Sequence, residues 1–86
     1  MKRLLQTPAR LKIARFFLDN PTSIDTPRGI SAWTNVAITD ARAILEDMAR
    51  SGILKAYRTS STVGYSLSES RQVLRSLERA VRKHAP

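Results

Sequence analysis

The hydrophobic pattern of this chain changes period twice, and that change decides what it can fold into. Apolar residues recur at helical spacing as far as Arg50, alternate between Ile53 and Leu67, and return to helical spacing from Val73 onward. Proline and glycine mark the joints. Thr7-Pro8 reads as a helix start, with Thr as N-cap and Pro at the first helical position, where a missing N–H costs nothing. Helix 1 is expected over 7–18, with Leu11, Ala14 and Leu18 on one face and Ile13 and Phe17 beside it. Arg10, Lys12 and Arg15 alternate with those positions and belong in solvent. Asp19-Asn20-Pro21 ends the helix, since a residue before Pro is pushed out of the α region.

Thr26-Pro27 repeats the same start, and a short second helix is expected over 27–34. Asn35 tolerates the left-handed conformation that a tight interhelical turn requires. A third helix follows over 37–51 and carries Ala41, Leu45, Met48 and Ala49 inward, closed by Ser51-Gly52. Two short strands fill 53–67: Ile53, Leu54, Ala56 and Tyr57 in the first, and Val63, Tyr65 and Leu67 alternating with Gly64, Ser66 and Ser68 in the second. The polar run Arg58-Thr59-Ser60-Ser61-Thr62 between them has hairpin length. Ser68-Glu69 opens a last helix over 69–84, with Ser as cap and Glu in the first turn.

Composition narrows the function. The 86 residues make one small domain, 1–86, and 15 basic against 7 acidic residues leave +8, which calls for a polyanionic partner, nucleic acid or an acidic membrane surface. There is no cysteine, so disulfides and thiolate metal sites are excluded. With one histidine, at position 84, no Gly-rich phosphate loop and no assembled Ser/His/Asp set, the expectation is a protein that is not an enzyme and uses no cofactor or metal. No apolar run reaches membrane-spanning length, and Met1 to Leu5 lead into polar Gln6 and Thr7 rather than a signal-peptide stretch. A soluble, cytoplasmic protein with no membrane contact is expected.

Helix, helix, turn, helix, β-hairpin, helix is the order of a winged helix-turn-helix. The expected class is therefore α+β, mostly α: a three-helix bundle, a two-stranded hairpin wing and a C-terminal helix. Three stretches carry a more particular likeness. Thr7-Pro8-Ala9-Arg10-Leu11-Lys12-Ile13-Ala14 resembles the first helix of small bacterial and archaeal repressors of the arsenical-resistance type. Leu45 to Leu54 is similar to the end of their recognition helix, and Gly64-Tyr65-Ser66-Leu67-Ser68 to the returning strand of their wing. The resemblance covers about residues 7–68.

It implies sequence-specific binding of double-stranded DNA and transcriptional regulation by repression, with helix 3 in the major groove and the wing on backbone or minor groove. Carried onto this chain, the base-reading positions are Thr39, Asp40, Arg42 and Ala43. Arg42 leads, because a guanidinium can donate two hydrogen bonds to guanine O6 and N7. Thr39 can instead be a plain N-cap, and Asp40 can compensate the helix dipole. Lys55 at the base of the wing, with Arg58, Thr59, Ser60, Ser61 and Thr62 along its tip, suits phosphate contacts. Metal sensing in the resembled repressors uses Cys and His clusters that this chain lacks. The competing readings are a winged-helix module for protein–protein interaction and a nucleic-acid binder without sequence preference.

The charge is unevenly spread: +4 over residues 1–20, −1 over 21–54 and +5 over 55–86. The expected reading segment is thus the least basic, with Glu46 and Asp47 on helix 3 itself. Arg71, Arg75, Arg79 and Arg82 share one face of the last helix, either as a solvated face or as a second phosphate contact. Leu74, Leu77 and Val81 give a short three-four seam suited to a homodimer, to which Phe16 of helix 1 can add. Phe16, Leu4 and Leu5 can equally fold over the domain's own core. Trp33 is expected to pack against helix 3 or the wing, and Tyr57 and Tyr65 to form a cross-strand pair. His84 is expected to be frayed and solvated.

Overall fold

The computed structural model describes residues 7–83; Leu4, Leu5 and His84 lie outside the described residues. The chain runs α1 (Pro8–Asp19), β1 (Ile24–Asp25), α2 (Pro27–Thr34), α3 (Ile38–Arg50), β2 (Leu54–Arg58), β3 (Val63–Leu67) and α4 (Arg71–Lys83). Both Thr-Pro starts work as the sequence suggests. The Thr7 hydroxyl accepts from the Arg10 N–H at 3.2 Å and the Thr26 hydroxyl from the Gly29 N–H at 3.1 Å, each with Pro in the first turn. Asn35 is left-handed, with φ 62°, and ends α2. At the end of α3, Gly52 has φ 81°; its N–H donates to Ala49 and that of Ile53 to Met48, which satisfies the last carbonyls.

Helix α3 departs from expectation at its start. Its N-cap is Ala37, which has no side-chain hydrogen bond to offer, so Thr39 lies inside the first turn and is not a cap. The last helix also begins later than Ser68-Glu69. The Ser68 hydroxyl instead accepts from the Ser70 N–H at 3.1 Å, and the Ser70 carbonyl accepts the first helical N–H, that of Leu74, at 2.9 Å. Ser70 therefore sits at the cap position, and Glu69 is outside the helix.

The hairpin pairs Leu54 with Leu67 and Arg58 with Val63, leaving the four-residue loop Thr59–Thr62. A third strand joins it: β1 pairs Ile24 with Ser66 and Asp25 with Tyr65, giving the sheet order β1-β3-β2. This strand has no signature in the sequence, because two residues cannot show an alternation. The register also overturns the tyrosine pair. Tyr65 stands opposite Ala56, and Tyr57 opposite Gly64. Successive side chains point to opposite faces, so Tyr65 enters the core while Tyr57 faces out.

Among the described residues, fifteen apolar ones form one core, drawn from every helix and from β2 and β3. From α1 come Ile13, Ala14 and Phe17, from α2 Ile30, and from α3 Ala41, Ile44, Leu45 and Met48. Val36 in the α2–α3 turn is buried among them. The Ser31 hydroxyl donates to its carbonyl at 2.6 Å, which closes the turn and fixes how α3 leaves α2. Trp33 corrects another expectation. It is 73% exposed and stacks on Phe16 of α1, with ring centroids 6.4 Å apart, rather than packing on α3 or the hairpin. Leu77 is fully buried and Val81 nearly so, both within the chain's own core. They are thus withdrawn from the expected dimer seam, of which Leu74 and Phe16 stay half-buried.

Candidate nucleic-acid interface

Helix α3 places Thr39, Asp40, Arg42 and Ala43 in solvent because Ala41, Ile44 and Leu45 of the same turns are buried. Across from them stands the hairpin loop. Arg42 and Glu46 of α3, Ser61, Thr62 and Val63 of the hairpin, and Pro27 of α2 line one groove, floored by Tyr65. The structure therefore brings Arg42 into one groove with Ser61 and Thr62. Thr59 instead shapes the loop, its hydroxyl accepting from the Thr62 N–H and donating to the Thr62 carbonyl, both at 3.1 Å. Ser60 is exposed at the tip.

Lys55 is not part of this arrangement. Three residues from Arg58 on one strand, it emerges on the opposite face, where its ammonium lies 3.8 Å from Glu69. Arg58 faces α3, and one guanidinium nitrogen donates to both oxygens of Glu46, each at 3.0 Å. Tyr65 donates its hydroxyl to the same carboxylate from the core side. The three side chains tie the hairpin to the middle of α3 and set the width of the groove.

The electrostatics follow from those contacts. The Tyr65 hydroxyl, and after it the Arg58 guanidinium, hold the Glu46 carboxyl below its ordinary value. Glu46 in turn raises the Arg58 guanidinium above its own. Burial first, and the hydrogen bond to Glu46 second, push the Tyr65 phenol up to about 12. Asp47 is likewise engaged, by Arg10 of α1 at 3.2 Å and by Arg50 at 3.6 Å. The two carboxylates in the second half of α3, which make this helix look acidic in the sequence, are thus each met by an arginine. Asp40, in the first turn, faces the helix dipole.

Sequence reasoning misses Glu46 and Tyr65 as the pair that sets the hairpin angle. The signal available is their chemistry, an acid on the third helix and a tyrosine on the returning strand, but their meeting depends on the register. Among the described residues no group of three or more His, Cys, Asp or Glu could hold a metal, and no helix is long and apolar enough to cross a membrane.

Helices α2 and α3, their tight turn and the three-stranded sheet with its projecting hairpin define a winged helix-turn-helix. Compared by sequence, the chain matches no protein-family profile and no curated protein. Its likeness is to solved structures of this fold. It is similar to the AntR antimony-specific transcriptional repressor at 20% identity and TM-score 0.73, over 94% of this chain and 70% of that one. It is similar to HlyU from Vibrio cholerae at 22% identity and TM-score 0.70, over 95% and 85%. A homodimeric winged helix-turn-helix DNA-binding domain from Mycobacterium bovis, from a possible ArsR-family transcriptional regulator, matches at 21% identity and TM-score 0.69, over 90% and 68%. In the longest neighbours the chain spans only about half of the structure, 54% in one case.

Proposed function

We infer that this chain binds double-stranded DNA in a sequence-dependent way and regulates transcription by occupying its site. The carrying observation is the groove between α3 and the hairpin, which Arg42, Ser61 and Thr62 line together while Glu46 is already paired. Arg42 supplies the fork that reads guanine in the major groove, and the hairpin hydroxyls take phosphate oxygens. Helix α3, the one helix entered without a side-chain cap among α1, α2 and α3, leaves N–H groups of its first turn free for a phosphate. The AntR structure, that of a transcriptional repressor, supports the same reading.

A second copy belongs to this reading, supported by the homodimeric neighbour and by exposed Trp33 stacked on half-buried Phe16. A two-fold protein reads a palindromic site. The test is selection from a random duplex pool with sequencing of the bound fraction. Enrichment of a palindromic motif, one position of which relaxes in Arg42→Ala, supports the reading. Binding with no enriched motif, or a motif untouched by Arg42→Ala, overturns it.

A further inference from the structure

Most of the positive charge of this chain lies away from the α3 groove. Helix α4 carries five basic residues and one acid, while α3 carries two basic residues and three acids. Along α4, Arg71, Arg75 and Arg79 follow one another at intervals of one helical turn, about 6 Å of rise each. All three are exposed and line one shallow hollow with Gln72 and Ser76. A second hollow, lined by Arg75, Glu78 and Arg79, continues the face to Arg82.

Two observations set these arginines apart. Arg71, Arg75, Arg79 and Arg82 sit in no ion pair among the described residues, as is also true of Arg42, whereas Arg10, Arg50, Lys55 and Arg58 each sit in one; what distinguishes the α4 arginines is that they follow one another on a single face. Like charges one turn apart repel, and the one acid on this helix, Glu78, offsets only part of the charge of four arginines. Secondly, the opposite face of α4 is already occupied: Leu77 and Val81 are buried in the core. A helix that docks on a lipid surface does so by inserting its apolar face. Most of this one's apolar face is committed to the core, with Val73 and Leu74 left half-buried, so the surface fits a polyanion met by charge.

We propose that the arginine face of α4 is a second docking surface for the phosphate backbone of duplex DNA, engaging a segment other than the one under α3. Helix α1 packs against both α3 and α4. A chain with two such faces holds two duplex segments together.

The test uses the full chain and the triple variant Arg71→Gln/Arg75→Gln/Arg79→Gln, with Arg71→Lys/Arg75→Lys/Arg79→Lys as the charge-preserving control and thermal melting to show that both fold. Each phosphate contact contributes about 0.9 to the slope of log affinity against log salt. The Gln variant is therefore expected to lower that slope by about 2 to 3 on a long duplex, and the Lys variant to keep it. Energy transfer between two separately labelled short duplexes, present with the wild type and the Lys variant, is expected to vanish with the Gln variant. An unchanged slope overturns the proposal and leaves a solvated face. A lower slope with no transfer in the wild type overturns the separate-segment arrangement. Loss of binding to phosphatidylserine vesicles with the duplex slope intact assigns the face to lipid and also overturns it. The proposal does not rest on base reading by α3: Arg42→Ala is expected to relax the selected motif and leave the α4 slope contribution unchanged.

Discussion

Replacing Tyr65 by Phe removes one oxygen from the molecule and, with it, one of the two contacts that join the sheet to Glu46 in the middle of α3. Tyr65 is 1% exposed, and its hydroxyl donates to the Glu46 carboxylate, which also receives Arg58. A hydrogen bond to a charged group contributes about 1.5–3 kcal/mol when its loss strands the partner. Here the Glu46 side chain keeps Arg58 and is 37% exposed, so water can reach the freed oxygen. The expected loss near neutral pH is therefore at the low end, about 1–2 kcal/mol.

The pH dependence makes this prediction specific. Glu46 titrates below its ordinary value of 4.5 when folded, so its contribution is complete above 4.5 and is lost as pH falls through the lowered value. Tyr65 moves the other way, from 10.0 up to about 12, so its contribution is complete below 10 and is lost between 10 and 12. Tyr65→Phe deletes the alkaline loss and shrinks the acid one, since the Tyr65 hydroxyl is the largest cause of the Glu46 shift. Urea unfolding of both proteins across acid, neutral and alkaline pH measures all three arms. A neutral-pH loss below about 0.3 kcal/mol, with the alkaline arm unchanged, refutes the latch.

Other substitutions probe other parts of the fold. Leu77→Ala empties a fully buried site between α4 and the rest of the core and should cost about 2–5 kcal/mol in denaturant unfolding. Gly52→Ala meets no atom within 4 Å, so any loss reports the backbone alone; at φ 81° about 1–2 kcal/mol is expected, read from the unfolding midpoint. Trp33→Ala should cost less than about 1 kcal/mol in the monomer, since Trp33 is 73% exposed, yet weaken self-association in sedimentation if the Phe16–Trp33 stack faces the second copy.

What the sequence makes legible is local. Thr7-Pro8, Thr26-Pro27, Asn35 and Gly52 act through their own backbone within a few residues, and each does in the structure what its chemistry suggests. The outward face of α3 is legible for the same reason, since helical spacing alone separates Arg42 from Ala41 and Leu45. Contacts set by register or by packing across elements are not. Nothing in the sequence fixes the register between the two tyrosines, and a one-residue difference sends Tyr57 and Tyr65 to opposite sides. The acidic look of α3 comes from charges counted along the chain. In space, Glu46 and Asp47 meet arginines 12 and 37 residues away. Leu77 and Val81 fit a dimer seam by spacing, but the same spacing serves a core, and burial decides between the two.

The most direct test of the α3 groove is amide chemical-shift mapping of the isotopically labelled chain titrated with one equivalent of a duplex selected from the pool. Binding through α3 and the hairpin predicts the largest changes at Thr39 to Ala43 and at Ser60 to Thr62, with Arg42→Ala abolishing those at the start of α3. Changes confined to α4 or to the surroundings of Trp33, with Thr39 to Ala43 unmoved, would contradict the assignment of this groove as the DNA-reading surface.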